Sequence, residues 1–305
     1  MRALLSVVAL FGMLACGSES TSTSATTGAE AGGGSGGAPA GGGGEGAGGA
    51  PADPSIRVLT WNLEHFPKTE NTVAGILSVL EQTKPDVVGV QEIDDLAQWE
   101  QLDQALSEYG AVTASSGDGF ARVGLLYRQA RVNLGEVETL FANDSYAFPR
   151  PMLKARVRSV QNPEHDFVFG VVHLKAMLDS ESLARRRDAC EKLDLWVRTA
   201  AQNGVESEFV LAGDWNAELT ESPQYNAFGP LLTLAESRFL TLTLEQEGGF
   251  SYLPFESFID HVFVFGDAAI GSSDAQVVTA NEFVPSYEAN VSDHLPVLAT
   301  LRFAR

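Results

Sequence analysis

The amino-acid sequence predicts an α/β (α+β) fold of two mixed β-sheets packed face to face with helices outside, a four-layer α/β/β/α sandwich. Three observations lead there. Residues 56–93 open as a βαβ unit. A second helix is then followed by four consecutive strand candidates, and a long helix separates these from a last group of strand signals. Residues 56–305 also form one block of ordinary globular composition, long enough for a single substantial core.

The elements follow in order. "IRVLTWNL" alternates and is rich in β-formers. "NTVAGILSVLEQ" sets Val73, Ile76, Leu77 and Leu80 on one helical face, and "KPDVVGVQEI" turns into a buried strand. "DDLAQWEQLDQALSEY" reads as a helix, with Trp99 toward the core. Strands are expected over 120–127, 131–140, 151–160 and 166–174, then a helix from about Ser180 to Asn203 capped by Asp179 or Ser180. In that helix Arg186, Cys190, Leu193 and Val197 share the inward face, so Cys190 reads as a core thiol without a catalytic role, and Trp196 is also assigned to the core. "EFVLAGDWN", "FIDHVFVF" and "LPVLATLRF" complete the strand signals.

Residues 17–55, Ser/Thr-rich and then Gly/Ala-rich, have no apolar period and read as a disordered linker. Residues 1–16, "MRALLSVVALFGMLAC", have one early Arg2, an apolar stretch and a closing Cys16, the layout of an export signal. This segment resembles a bacterial lipoprotein signal. The resemblance implies acylation at Cys16 and attachment to the cell envelope, at the outer membrane if the cell has one; simple secretion is the alternative if Cys16 is not acylated.

The chain has 40 acidic and 20 basic residues. Setting aside Arg2, Glu19, Glu30, Glu45 and Asp53 leaves 36 against 19, a net of −17 for residues 56–305. Such acidity keeps an exported protein soluble and opposes tight, sequence-independent DNA binding without a basic patch or a divalent cation. A monomer is expected.

Polar side chains gather at the strand ends: Asn62, Glu92, His173, Asp214 with Asn216, Asp260, and Asp293 with His294. Each alone would pass for a turn or cap residue. Together they form the kind of constellation that α/β folds assemble along one sheet edge.

On "TWNLEHF", "VVGVQEI", "GFARVGLLYR", "FPRPMLKARV", "VVHLK", "LAGDWNA", "SFIDHVFV" and "SDHLPV", the chain resembles the endonuclease/exonuclease/phosphatase superfamily, with its DNase I-like fold. The stretches occur in family order and cover essentially all of residues 56–303. The resemblance implies metal-dependent hydrolysis of phosphate esters. Glu92, Asn62 and Asp293 would hold Mg²⁺ or Mn²⁺, since Mg²⁺ takes one or two carboxylates plus waters and phosphate oxygens. Asp214 and Asn216 lie on one side of an extended chain, so one can align the nucleophile while the amide donates to the phosphate. Asp260 would fix the tautomer of His294; either Asp214 or His294 takes the proton of the attacking water. His173 resembles a phosphate donor or acid, and Arg150 a phosphate contact. Phe120 stands where the family often has a tyrosine, so either Arg122 substitutes or one contact is missing. Arg186 is the one of "RRR" placed to reach a phosphate, its neighbours meeting acids in solvent.

The leading expectation is an extracytoplasmic nuclease whose partner is DNA or RNA. A phosphatase or lipid phosphodiesterase (sphingomyelinase-like) of the same fold is the alternative, and a non-enzymatic surface lipoprotein comes last because Glu92, Asp214, Asp260 and His294 are all present. The sequence gives no sign of the exposed aromatic loop of a bilayer-inserting hydrolase. If Cys16 carries the anchor, Cys16→Ser moves the protein from the membrane fraction to the soluble fraction; equal membrane partitioning of the two forms would rule the anchor out.

Overall fold

The computed structural model describes residues 54–115 and 120–304; the expected signal and most of the expected linker, with Cys16, lie outside the described residues. The domain opens with β1 (Ile56–Phe66), α1 (Thr72–Thr83), β2 (Val87–Ile93) and α2 (Leu96–Ala105). Then come β3 (Tyr109–Thr113), β4 (Arg122–Arg128), β5 (Val132–Leu140), β6 (Met152–Ser159) and β7 (Asp166–His173). After α3 (Ser180–Gln202) and β8 (Phe209–Asp214), short helical turns separate β9 (Ser237–Phe239), β10 (Asp260–Phe265), β11 (Asp274–Val277) and β12 (Val297–Leu301).

Two six-stranded sheets result, ordered β11-β12-β1-β2-β4-β3 and β5-β6-β7-β8-β10-β9. Each holds one parallel pair, β1/β2 and β7/β8, among antiparallel neighbours. This is the two-sheet sandwich that the element order predicts. Inward-facing Val58, Val123, Phe169, Val210, Val262 and Ala299 share the core between the sheets. Each valine or phenylalanine among them contributes roughly 1.5–3 kcal/mol when fully buried. The outer faces are covered in turn, the first sheet by Ile76 and Val79 of α1 with Trp99 of α2, the second by Cys190, Leu193 and Val197 of α3.

Local chemistry sets the helix ends. Lys84 adopts a left-handed conformation (φ +44°) and its N–H closes α1 on Leu80 O at 2.8 Å, just before Pro85. Asp179 caps α3, its Oδ1 accepting from Ser182 N at 3.0 Å. The apolar face of α1 is rotated from the expected one: Val79 is buried, whereas Leu77 is 38% exposed. The helix expected to reach Tyr109 stops at Ala105, and Tyr109 begins β3, with its hydroxyl on Pro85 O at 2.8 Å. Strands β3, β9 and β11 have no counterpart in the sequence expectation; all three are short and lie at sheet edges.

One close approach limits the second sheet. At Gly213 a Cβ atom would sit 1.9 Å from Val172 O on the neighbouring strand, a backbone atom that no rotamer change can move. Gly213→Ala should therefore destabilise the fold by about 3 kcal/mol, the upper part of the usual overpacking range. Urea unfolding measures this; a loss indistinguishable from zero would mean that β7 and β8 separate more easily than their pairing implies.

Candidate active site

Parallel pairing brings the C-terminal ends of β1 and β2 to one edge of the first sheet, with Asn62 opposite Gln91. In the second sheet it sets His173 opposite Asp214, and β10, antiparallel to β8, starts with Asp260 opposite Asp214. The segment before β12 is pinned onto this edge. Ser292 Oγ donates to Asn62 O at 2.6 Å and accepts from His294 N at 2.9 Å, and Asp293 N donates to Glu64 Oε2 at 2.7 Å. Behind it the Tyr287 hydroxyl donates to His294 O and accepts from Trp61 Nε1.

These elements enclose a cleft of about 890 Å³ lined by Glu92, Arg150, His173, Asp214, Asn216, Asp293 and His294. Two of the expected residues stand behind its wall. Asn62 is 1% exposed and donates from Nδ2 to Glu92 Oε1 (3.1 Å) and Asp214 Oδ2 (3.0 Å), while its Oδ1 accepts from Glu64 N (2.9 Å). Asp260 is fully buried and holds His294 Nδ1 at 2.7 Å through Oδ2. His173 Nε2 lies 3.5 Å from Asp214 Oδ2 and 3.7 Å from Glu92 Oε1. Glu92 (φ +63°) and Asn216 (φ +53°) both adopt the left-handed conformation, which is uncommon for such residues and aims their side chains off the strand direction. The extended geometry expected through Asn216 therefore ends before it, because β8 stops at Asp214. Asn216 donates from Nδ2 to Leu174 O at 3.2 Å, and Arg150 shares that acceptor at 3.4 Å.

The site sorts its ionisable groups by environment. Burial lowers the proton affinity of His294, but the Asp260 carboxylate, with Asp214 and Asp293 behind it, overrides this and pushes the pKa up to about 10. His173, also buried and facing the cations Arg150 and His294, is held well below the ordinary histidine range. Burial raises Asp214 to about 7, against the favourable charge of His294. Asp293 is raised to about 6 by burial, with the charges of Glu64 and Glu92 acting in the same direction and His294 opposing them.

That mutual repulsion is the test of whether a cation fits. Glu64, Glu92 and Asp293 line one cleft, and the charges of Glu64 and Glu92 make ionisation of Asp293 less favourable. Among the described residues no three His, Cys, Asp or Glu side chains converge closely enough to hold a metal ion by themselves. An open set of carboxylates is what a hard cation that retains waters and binds substrate oxygens needs, so the donor set fits Mg²⁺ or Mn²⁺. Asn62 Oδ1 accepts one hydrogen bond, from Glu64 N, and its amide group orients Glu92 and Asp214.

Arg122 and Arg186 do not line the cleft. Arg122 opens β4 opposite Ile93. Arg186 is buried and donates to Lys175 O (2.8 Å) and Met177 O (2.7 Å), because the inward face of α3 meets the carbonyls of the loop after β7. Its neighbours also meet carbonyls, not acids: Arg185 donates to Tyr146 O and Arg187 to Asn226 O. The cleft adds residues the sequence reading passed over, Glu64 and Tyr252 among them. Glu64 lies two residues beyond Asn62, but left-handed conformations at Glu64 (φ +42°) and His65 (φ +59°) break the alternation, so strand periodicity does not reveal it. The Tyr252 ring lies 4.8 Å from that of His294.

In the metal-free protein, His294 should keep its proton through neutrality and lose it as pH rises through about 10, since its folded pKa is raised. Asp260→Asn removes the chief raising charge, so the titration should move well below 10. NMR of the histidine ring carbons reads this directly; an unmoved His294 titration would show that Asp260 does not control the ring.

Similar architecture occurs in solved structures of low sequence identity. Zebrafish (D. rerio) TDP2 complexed with a single-strand DNA product has a TM-score of 0.62 at 17% identity, covering 82% of this chain and 100% of that one. The human Nocturnin catalytic domain with bound sulfate has 0.62 at 19%, covering 82% and 94%. A Bacteroides thetaiotaomicron mannosyl-6-phosphatase has 0.61 at 17%, covering 81% and 100%. At these identities the likeness establishes the fold. No curated protein matches the sequence. The Endonuclease/Exonuclease/phosphatase family pattern matches residues 59–294, a span that runs from β1 to His294 and takes in the whole cleft, and the chain belongs to that family.

Proposed function

We propose that this protein is a divalent-metal-dependent phosphoesterase that hydrolyses a phosphate ester by in-line attack of water. The observation that carries the reading is the charge arrangement around one cleft: Glu64, Glu92 and Asp293 line it together with Arg150 and an imidazolium at His294. Glu92 and Asp293, with Glu64 beside them, would hold Mg²⁺ or Mn²⁺. When bound, the metal supplies charge neutralisation for the phosphate oxygens.

The chain's own groups do the rest. Arg150 and His294 present positive charge to the nonbridging oxygens, His294 donating from Nε2 because Nδ1 is engaged by Asp260. Asp214, raised to about 7, has the proton affinity suited to accept a proton from the attacking water near neutrality. Asn62 Nδ2 and Asn216 N fix its two oxygens, so the base is oriented before the substrate arrives. Of the two bases the sequence leaves open, this favours Asp214. His173, buried and neutral, offers Nε2 as a donor toward Asp214 or a phosphate oxygen. Asp260 is a positioning residue that acts through His294.

The expected nuclease specificity finds support in the DNA product bound by zebrafish TDP2, a protein of the same fold. A specific feature of this cleft favours the alternative of a lipid or small phosphoester. Among the described residues lining it, Arg150 is the one Lys or Arg side chain, against Glu64, Glu92, Asp214, Glu218, Glu221 and Asp293. A polynucleotide needs several phosphates neutralised, whereas a single phosphate group needs one or two cations. The signal-like N-terminus supports an extracytoplasmic location, with an envelope anchor through Cys16.

Hydrolysis of bis(p-nitrophenyl) phosphate should require added Mg²⁺ or Mn²⁺ and stop with excess chelator. Glu92→Ala should lower turnover at limiting metal by at least about 100-fold, a loss of the size seen when a charge-positioning group is removed. Full turnover in chelator, or a Glu92→Ala variant as active as the parent, would falsify the metal-dependent reading.

A further inference from the structure

Four large apolar or aromatic side chains stand at one mouth of the cleft. Met177 and Leu178, on the loop between β7 and α3, are 67% and 92% exposed; Phe255 is 80% exposed and packs beside Tyr252 at 5.8 Å between ring centroids. All four line the cleft that contains Arg150 and His294. Isolated exposed apolar residues are ordinary, but a group of them converging on a binding cleft marks a contact surface.

The loop is held in place from both sides. Arg186 reaches out of α3 to the carbonyls of Lys175 and Met177, and Asp179 closes the loop by capping α3. Met177 itself has φ +84°, a backbone conformation that surrounding contacts must maintain. The exposed pair is thus presented on a fixed support.

Building on the phosphoesterase reading, we propose that this mouth is a subsite for an aliphatic arm of the substrate, which is then an amphiphilic phosphoester with a single anionic phosphate and an alkyl or acyl chain. The occupant follows from continuity with the phosphate-binding end and from charge. About 890 Å³ is far more than one phosphate group fills, and Met177, Leu178, Tyr252 and Phe255 line it together with Arg150 and His294. Glu218 and Glu221 also line the cleft, so a second phosphate in it would meet carboxylates in place of a further cation. An aliphatic chain covers the exposed side chains and brings no further negative charge.

Calorimetric titration of the full chain, carrying Cys16→Ser so that no detergent is needed, tests this with methyl, butyl, hexyl and octyl phosphate below micelle-forming concentrations and with Mg²⁺ present. Kd should fall about twofold to fourfold per methylene, the upper figure corresponding to complete burial of each group. The double variant Leu178→Ser with Phe255→Ser, at two highly exposed positions, should flatten the series and leave the methyl phosphate Kd unchanged. A flat series in the parent protein, or the same slope in the variant, overturns the subsite; so does a single-stranded trinucleotide that binds more tightly than hexyl phosphate. Turnover of bis(p-nitrophenyl) phosphate in the same preparation separates the two ideas. Turnover with a flat series removes only the aliphatic subsite, whereas a slope without turnover leaves the subsite standing and removes the catalytic reading.

Discussion

A buried amide joins the two sheets at the site, beside the hydrogen bond between Asp260 and His294. Asn62 on β1 donates to Glu92 in its own sheet and to Asp214 in the other, so its Nδ2 group spans the sandwich where the backbone ladders cannot. A buried carboxylate without a donor is costly, and an amide that lost its acceptors would be costly as well. Sliding one sheet past the other would break this arrangement on both sides, and shifting β1 by one residue would turn Asn62 to the opposite face. The apolar core between the sheets supplies most of the cohesion. Asn62 selects one register for the polar edge.

That register sets the electrostatics. Placing Asp214 and Asp293 under cover raises both, and placing His294 against Asp260 raises it too, so an acid near neutrality faces a base that keeps its proton. Moving the proton affinities of neighbouring groups apart is how one site acquires an acceptor and a cation together. The left-handed conformations at Glu92 and Asn216 each cost about 1–3 kcal/mol and persist because the surrounding bonds fix them. His65 N donates to Glu92 Oε2, and Asn216 N to Asp214 Oδ1.

The sequence exposes those parts of the molecule that obey a period or end a strand. Alternation and buried runs locate the principal strands, and strand ends locate His173, Asp214 and Asp260, with Glu92 one residue inside β2 and His294 just ahead of β12. Where no period operates, the reading fails. The edge strands β3, β9 and β11 are too short to establish alternation. The inward position of Arg186 is visible as a helical face, but whether it meets a phosphate or a carbonyl depends on a loop that folds over it. Leu77 and Val79 are both apolar, and only packing against the first sheet selects Val79. The exposed mouth formed by Met177, Leu178 and Phe255 has no linear signature, since the three residues lie on two loops far apart in the chain.

This division corresponds to a division of labour. The polar groups that the proposed mechanism sets against the phosphorus stand at or near strand ends, where backbone pairing and buried hydrogen bonds limit their movement. The side chains of the proposed aliphatic subsite stand on loops, where replacement disturbs little else. Arg186 links the two levels: it is anchored among the buried residues of α3, yet its hydrogen bonds fix the loop that carries Met177 and Leu178. Removing it would leave the strand-end carboxylates in their sheets while loosening one wall of the cleft. The reaction a cleft supports and the substrate it admits can therefore change separately, because different elements hold them.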